Sequence, residues 1–405
     1  MRRQSSRLTG CDPDANAAED ELKTTPVCKR HNAPQMFTMA ACDCTRPRGV
    51  FTRHTFWLNS SPYMLKPLCI RLPNWVGDAC MALPALHLLR SAGFPLILVG
   101  RPWARDLLAG LEPLDFVPLE GPLRKDVEAV RQRLRPGADV SKTLPAGPYR
   151  GVCFPDSISS ALVFRLAGVR AGGYRDDGRS LLLKWPVSKL PGPLHVVESY
   201  FYLVRTLLVK WGLPMTLPSR PGPTLVLPLT AAHEHVADAA LERAAFDRPF
   251  VLLSPTATGL HRGRIKSWPH YEALARDLKA SGWAVAICPP PSEVDSARSA
   301  VPGAHVLPSL PLGAYAALTR RAALVVCNDS GTSHIAAAAQ SRQITLFGVT
   351  HRERTGPWSP HAVCLGDDNH WPTLDEVSER ALSMLNSGNA ETEPADLTHQ
   401  PTSLT

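Results

Sequence analysis

The chain has 405 residues, of which 44% are hydrophobic and 20% charged, a size and balance that suit two medium domains, each with its own core. It lacks both a run of about 18 apolar residues that would cross a membrane and the apolar core of a secretory signal. The formal charge of +8 is either ordinary surface charge or a means of attracting an anionic ligand or an anionic membrane surface. Because the basic residues are spread out without interleaved aromatics, nucleic acid is not expected as a partner.

The first 66 residues are polar and Pro-rich without periodicity, and we predict a disordered N-terminal extension. Met64 stands just before the first strand pattern; it is either the true start or an internal residue of a genuine extension. Strand and helix patterns then alternate, with predicted strands at 68–72, 95–100 and 150–155 and predicted helices at 79–91 and 159–166. This alternation predicts parallel βαβ units.

A Pro-rich passage at 213–228 interrupts the alternation and is predicted to be a linker. Beyond it we predict strands at 250–253, 283–287, 324–326 and 343–348, and helices at 271–281, 313–320 and 332–339. The chain therefore divides into two doubly wound α/β domains at 67–225 and 226–386, followed by a disordered tail at 387–405. Ligands of such sheets bind beyond the carboxyl ends of the strands, which places the predicted site in the cleft between the halves.

The ten cysteines are scattered and include no CxxC pair, so no zinc site is predicted. Cys69, Cys288 and Cys327 fall in strand patterns and are interpreted as small core residues. A reducing cytoplasm suits this cysteine usage.

The most informative segment is 324–339, where an apolar strand stops in Asn328-Asp329-Ser330-Gly331 and restarts as an Ala-rich helix. The polar residues are good N-caps, and Gly331 lets the backbone approach a ligand closely. The free N–H groups at a helix start bind phosphate. The alternative is a well-capped core helix without a ligand.

A second polar turn, Pro-Asn-Trp-Val-Gly-Asp at 73–78, follows the first strand. Asp78 is either an N-cap residue or a general base that projects into the cleft. A helix N-terminus lowers the pKa of a carboxylate, so a catalytic Asp78 needs desolvation or tuning by the substrate.

The loop at 254–269 superficially resembles a P-loop, but no Gly precedes Lys266. What remains is a loop rich in hydroxyls and cations, and Lys266, beside a helix start, suits a diphosphate. Glu293 is either a ribose-binding acid or a surface residue. His334 is either a packing residue or a ligand contact.

Three motifs together resemble one family: Asn-Trp-Val-Gly-Asp at 74–78, Lys-Ser-Trp-Pro-His-Tyr at 266–271, and Asn-Asp-Ser-Gly at 328–331 with His334. That family is glycosyltransferase family 9, the ADP-heptose:lipopolysaccharide heptosyltransferases, and the subgroup most similar is heptosyltransferase II. The stretch at 155–162 resembles the subgroup's acceptor-side loop, where the family usually carries Asn in place of Asp156 and Lys in place of Ser159. The resemblance covers residues 66–365.

The resemblance implies a GT-B fold, in which two Rossmann-like doubly wound domains face a central cleft. It implies inverting, metal-independent transfer of a heptose from ADP-heptose to a lipopolysaccharide inner-core acceptor, with no cofactor and no metal. It also implies a cytoplasmic enzyme, whose lipid-linked oligosaccharide acceptor gives a reason for peripheral contact with the anionic cytoplasmic face of the inner membrane. The alternatives are a related transferase for another nucleotide sugar and a non-catalytic nucleotide-sugar-binding protein.

The resemblance also assigns residue roles. Asp78 corresponds to the general base, Lys266 to the cation on the diphosphate, and Asp329 to the residue that orients sugar hydroxyls. The other donor-binding residues implied are Thr256, Thr258, Glu293, Leu310, Ser330, Gly331, Thr332 and His334. The acceptor-binding residues implied are Asn74, Trp75, Gly77, Asp156 and Ser157.

Overall fold

The computed structural model describes residues 65–135, 148–213, 216–246, 248–257, 260–261 and 263–389, which all belong to one compact unit. Met64, Thr258 and most of the two segments predicted to be disordered lie outside the described residues.

Six parallel strands form the first sheet, in the order β3-β2-β1-β4-β5-β6. Their bounds are β1 Leu68–Arg71, β2 Leu96–Gly100, β3 Asp115–Pro118, β4 Arg150–Cys153, β5 Arg170–Tyr174 and β6 Trp185–Val187. Six more parallel strands form the second sheet, in the order β11-β10-β7-β12-β13-β14. Their bounds are β7 Phe250–Ser254, β10 Ala284–Ile287, β11 His305–Val306, β12 Leu324–Asn328, β13 Gln343–Leu346 and β14 Ala362–Leu365. A small antiparallel hairpin pairs β8 Leu260–His261 with β9 Arg264–Ile265.

Helices connect and cover the strands. They are α1 Val76–Met81, α2 Leu83–Ser91, α3 Trp103–Leu107, α4 Leu123–Leu134, α5 Ile158–Leu166, α6 Val196–Lys210, α7 Ala231–Arg243, α8 Tyr271–Ala280, α9 Val294–Ala300, α10 Leu312–Arg321, α11 Gly331–Ala338, α12 Arg352–Thr355 and α13 Leu374–Asn389. Short 3-10 helices occupy Ala109–Leu111, Arg179–Leu181 and Pro291–Glu293. We call the first sheet with its helices the N-lobe and the second sheet with its helices the C-lobe.

Both sheets have the strand order of a Rossmann fold, which confirms the predicted fold class. Helices lie on both faces of each sheet, so the central strands are buried on both sides and consist of almost unbroken apolar runs. In β12 the four apolar residues at 324–327 are all fully buried. The predicted core cysteines Cys69, Cys288 and Cys327 are buried as expected. The strand order reverses at β1/β4 and at β7/β12, and ligand sites are expected there.

One apolar cluster runs through both lobes and includes Ile70 and Leu86 of the N-lobe with Leu252 and Val325 of the C-lobe. A further apolar cluster covers the outer face of each sheet, one in the C-lobe and one in the N-lobe. The lobes therefore share part of their core, and the segment predicted to be a linker lies across this junction. Its Leu227 N–H donates to the Ala338 carbonyl at 2.9 Å, while its Val226 carbonyl lies 2.7 Å from Nε2 of His87 in α2.

A second contact between the lobes is polar. The Asp106 carboxylate of α3 accepts the Gly313 N–H at the start of α10 at 2.6 Å, and its other oxygen lies 3.5 Å from Nε2 of His233. Because Nδ1 of His233 accepts the Thr230 N–H, Nε2 carries the ring proton and donates it towards Asp106. Asp106 therefore caps a helix of the opposite lobe.

Several elements differ from the prediction, and two of the differences have clear local causes. The helix predicted at 79–91 is two helices, α1 and α2, separated at Ala82, since Pro84 cannot continue the hydrogen-bond ladder of the preceding turn. The strand β5 was not predicted, because its two glycines weaken the strand pattern. The helix α13 continues to Asn389, three residues beyond the predicted domain limit of 386.

Candidate active site

The two strand-order reversals face each other through the N-termini of α1 and α11. A Cβ on Gly77 would lie only 2.5 Å from Cδ2 of His334, and a Cβ on Gly331 would lie 3.3 Å from Cβ of Val76. The two helix starts are thus in van der Waals contact, and position 77 has room for no side chain. Gly77, predicted to bind the acceptor, lies buried at this contact between the lobes.

Asp78 lies in the first turn of α1, one residue from this contact. Trp75, not Asp78, occupies the N-cap position, so the capping alternative for Asp78 does not hold. Desolvation raises the pKa of Asp78, and within the described chain its carboxylate has no hydrogen-bond or ion-pair partner. A carboxylate whose pKa is raised towards neutrality is a better proton acceptor than an ordinary aspartate.

Lys266 and Asp329 meet on the C-lobe side of the cleft. The Lys266 ammonium lies 3.6 Å from Oδ2 of Asp329, and the same oxygen accepts the hydroxyl hydrogen of Thr350 at 2.7 Å. Thr350 was not predicted from the sequence. It follows β13, the neighbour of β12, and two parallel strands bring the residues after them to one edge of the sheet.

The start of α11 retains the character of an anion site. Ser330 occupies the N-cap position but makes no side-chain cap bond, and its buried Oγ has no hydrogen-bond partner among the residues described. The first N–H groups of a helix have no partner inside the helix. Together with the positive end of the helix dipole, they favour a phosphate at Ser330, Gly331 and Thr332.

Asn328 fixes the loops around this helix start. Its fully buried side chain accepts the Trp268 N–H at 2.9 Å and donates to the Pro255 carbonyl at 3.0 Å. Asn328 was predicted as a possible cap; instead, it ties the Lys266 loop and the Thr256 loop to β12.

A cavity of about 230 Å³ opens at the carboxyl ends of β7 and β10. It contains six of the predicted donor-binding residues, which are Thr256, Glu293, Leu310, Ser330, Gly331 and Thr332. Oγ1 of Thr332 lies 3.2 Å from Oγ of Ser254, a hydroxyl that the sequence analysis missed. Lys266 and Asp329 do not line this cavity. Asp329 directly precedes Ser330 in the chain, and Lys266 lies 3.6 Å from the Asp329 carboxylate. The predicted donor site therefore has two parts that meet at Ser330.

His334 packs at the contact between the two lobes. Desolvation lowers its pKa to about 4, against the opposing effect of Asp329, so the ring is neutral at pH 7. The ring lies against Gly77, and its buried Nδ1 has no partner in the described part of the chain. The structure thus places His334 between the lobes rather than in the donor cavity.

The predicted acceptor-binding residues lie at the carboxyl ends of β1 and β4. Asn74 accepts a hydrogen bond from the buried Arg71 at 2.7 Å, whereas the Trp75 side chain is 76% exposed. Ser157 is the N-cap of α5 and accepts the Ser160 N–H at 3.3 Å. Asp156 is held by two cations, Arg179 and Lys189, neither of which was predicted from the sequence.

Among the described residues, no group of three or more His, Cys, Asp or Glu side chains is arranged to hold a metal ion. Among the described helices, none is both long and apolar enough to span a bilayer.

Two Rossmann-like lobes face each other across a cleft, with the open start of α11 on one side and the Asp78 carboxylate, unpartnered among the described residues, on the other, and this is the GT-B fold of glycosyltransferases. The chain belongs to glycosyltransferase family 9 (heptosyltransferase), whose model matches residues 140–383.

The similarity to known proteins extends over most of the chain. Lipopolysaccharide heptosyltransferase 2 of Escherichia coli K12 is 26% identical over 354 residues, covering 78% of this chain and 96% of the relative. Lipooligosaccharide heptosyltransferase 2 of Haemophilus influenzae is 27% identical over 353 residues, with the same coverage. The solved structure of E. coli ADP-heptose lps heptosyltransferase II has a TM-score of 0.62 at 22% identity and covers 80% of this chain and 99% of its own. A family 9 structure from Veillonella parvula has a TM-score of 0.66 at 14% identity and covers 80% and 98%.

Proposed function

We propose that the protein transfers a heptose from ADP-heptose to a lipopolysaccharide inner-core acceptor, with inversion at the anomeric carbon and without a metal ion. The observation that carries the proposal is the contact between α1 and α11. It sets Asp78, a carboxylate with a raised pKa, beside the start of a helix suited to hold a diphosphate.

The donor fits the two-part site in one orientation. The nucleoside occupies the cavity, where Glu293 accepts hydrogen bonds from ribose hydroxyls and Leu310 packs on the adenine. The diphosphate lies at Ser330, Gly331 and Thr332, with Thr256 as a further hydroxyl donor. Thr258, which the family resemblance offers for the same purpose, lies outside the described residues.

The heptose then lies towards Lys266 and Asp329. The Asp329 carboxylate, oriented by Thr350, accepts hydrogen bonds from sugar hydroxyls. Lys266 remains within reach of both Asp329 and the diphosphate.

The reaction is a single displacement. The acceptor hydroxyl gives its proton to Asp78 while its oxygen attacks the anomeric carbon, and the bond from that carbon to the diphosphate oxygen breaks on the opposite face. Negative charge grows on the leaving ADP. The fixed dipole of α11 and the Lys266 ammonium stabilise this charge without reorganisation, which is the task that a metal ion performs in other transferases.

The acceptor of such a reaction is lipid-linked. We therefore propose that the enzyme works at the cytoplasmic face of the inner membrane, and that its formal charge of +8 contributes a peripheral, salt-sensitive attraction to anionic lipids.

The test is a donor and acceptor screen with purified protein that reads released nucleoside diphosphate and the configuration of the product. We expect release of ADP from ADP-heptose only when a truncated lipopolysaccharide acceptor is present, in buffer with excess chelator, and a product of inverted configuration. Preference for a UDP- or GDP-sugar would favour the related transferase. An ADP-dependent thermal shift without turnover would favour the non-catalytic binding protein.

A further inference from the structure

Four charged side chains form a cluster at the carboxyl ends of β4, β5 and β6, and the proposed mechanism does not use it. Asp156, three residues after β4, lies 3.4 Å from Nη1 of Arg179 through one oxygen and 2.7 Å from the Lys189 ammonium through the other. The same ammonium lies 2.7 Å from the Asp176 carboxylate. We call these four residues the Asp156 cluster.

Arg179 is the unusual member, because its side chain is completely buried. A guanidinium taken out of water is costly unless a carboxylate compensates it, and in the described part of the chain Asp156 is the carboxylate that does so. Nη2 of Arg179 donates to the Cys153 sulfur at 3.4 Å. Each oxygen of Asp156 is thus held by a cation, which fixes the orientation of the carboxylate.

Asp156 nevertheless remains open to a ligand, since 44% of its side chain is exposed. The cluster contains two cations and two carboxylates, so it has no formal excess of charge to attract an anion. A carboxylate between two cations is held in one orientation and is suited to accept further hydrogen bonds. This distinguishes Asp156 from Asp78, which has neither cation.

The two carboxylates belong to the same region of the cleft. The strands β1 and β4 are neighbours, with Arg71 opposite Cys153, so the loops that carry Asp78 and Asp156 emerge side by side. Tyr200 of α6 packs its ring on Phe154, with 5.0 Å between the centroids. Burial, followed by the charges of Asp78 and Asp156, raises the pKa of the Tyr200 hydroxyl, which places this hydroxyl within the field of both carboxylates.

An acceptor whose reacting hydroxyl contacts Asp78 therefore presents a neighbouring substituent to Asp156. We propose that Asp156 determines acceptor specificity: it accepts a hydrogen bond from an uncharged hydroxyl of the acceptor sugar and excludes an acceptor that carries a phosphate at that position. Arg179 and Lys189 are positioning residues that hold the carboxylate in place. The exclusion follows because a phosphate dianion has no hydrogen to donate to the Asp156 carboxylate and the cluster has no excess positive charge to bind it, and the inference depends on the proposed transferase function.

The experiment compares two acceptors with the purified full chain and ADP-heptose: a truncated lipopolysaccharide with free hydroxyls on its terminal sugar, and the same acceptor phosphorylated next to the attacked hydroxyl. For Asp156→Asn we expect the KM of the unphosphorylated acceptor to rise about 10-fold, because a charge-assisted hydrogen bond to the acceptor is lost. We also expect the preference for that acceptor over the phosphorylated one to fall at least 10-fold, while the KM of ADP-heptose stays the same. The matched control is Glu120→Gln, an exposed acid paired with Lys125 at the same sheet edge, for which both acceptor values stay within about 2-fold of wild type.

A second variant guards against misfolding, because Asp156→Asn leaves Arg179 without its counter-ion. Lys189→Met keeps the buried pair, and we expect it to raise the acceptor KM in the same direction while the ADP thermal shift is retained. Wild-type turnover with an unchanged acceptor KM and preference in both variants would overturn the inference and leave the transferase function intact. Absence of wild-type transfer to either acceptor would remove the function, and the inference with it.

Discussion

Replacement of Gly77 by alanine perturbs the lobe contact directly. The added methyl group would lie 2.5 Å from Cδ2, 3.3 Å from Cγ and 3.2 Å from Nε2 of His334. Three ring atoms approach it at once, so a small rotation of the imidazole does not relieve the clash. The His334 ring is buried and has little space to move. The helix starts of α1 and α11 must therefore separate.

The size of the effect follows from these distances. Ordinary carbon–carbon contacts are about 3.5–4.0 Å, so the two helix starts must move apart by about 1 Å. Alanine gains up to about 1 kcal/mol over glycine within a helix, whereas overpacking costs about 1–3 kcal/mol. We expect a net loss of about 1 kcal/mol in the free energy of unfolding. Misplacement by about 1 Å at a reacting centre is more serious for catalysis and costs up to about 100-fold in rate.

The assay is the steady-state transfer rate of Gly77→Ala, together with urea unfolding and the thermal shift produced by ADP. We expect kcat to fall about 10- to 100-fold, with the ADP shift retained because the donor cavity is formed almost wholly by the C-lobe. The matched control is Gly222→Ala, where an added Cβ has no atom within 4 Å and the rate should stay at the wild-type value.

A double variant makes the test specific. In Gly77→Ala with His334→Ala the ring is gone, so the loss in rate should be smaller than the sum of the two single losses. A wild-type rate for Gly77→Ala, or strictly additive losses in the double variant, would show that this contact does not set the catalytic geometry.

Three further outcomes are expected. Asn328→Asp removes the donor to the Pro255 carbonyl and buries a charge, so the free energy of unfolding should fall by about 3 kcal/mol in urea titration. An unchanged urea midpoint would show that Asn328 does not hold the two loops to β12. Thr350→Val frees the Asp329 carboxylate and should raise the KM of the donor about 10-fold, and a wild-type KM would count against this role. Asp106→Ala removes the cap on α10 and should cost about 1–2 kcal/mol of stability, whereas a loss below about 0.5 kcal/mol would indicate that the interlobe bond is not maintained in solution.

The fold could be predicted well where the apolar pattern of a strand and the polar turn that ends it agree. The central strands β1, β7 and β12 are apolar runs closed by polar turns, so their positions and the parallel alternation could be predicted. The edge strand β11 and the inner strand β5 could not: β11 has two residues, and β5 contains two glycines. Their strand identity depends on pairing with neighbours, which is a tertiary effect.

The site was predicted in part for the same reason. Local motifs marked Asp78, Lys266 and Ser330, because helix starts after strands have a sequence signature. Partners from distant segments have no such signature. Thr350 and Arg179 acquire their roles only when parallel strands bring separate loops to one edge, and the burial of His334 depends on the opposite lobe. The roles of the marked residues remain predictions.

In the proposed mechanism, Asp78 accepts the proton of the acceptor hydroxyl. Asp78→Asn keeps the size of the side chain and removes the base, so the transfer rate should fall about 10²- to 10⁴-fold. Because burial raises the pKa of Asp78, the wild-type kcat should decline on acidification at a higher pH than an ordinary aspartate would give.

The decisive measurement is kcat of Asp78→Asn at pH 8 with saturating ADP-heptose and acceptor, with ADP binding followed by thermal shift. If Asp78 is the base, transfer is lost while ADP binding stays intact. Transfer by Asp78→Asn at the wild-type rate would show that Asp78 is not the base.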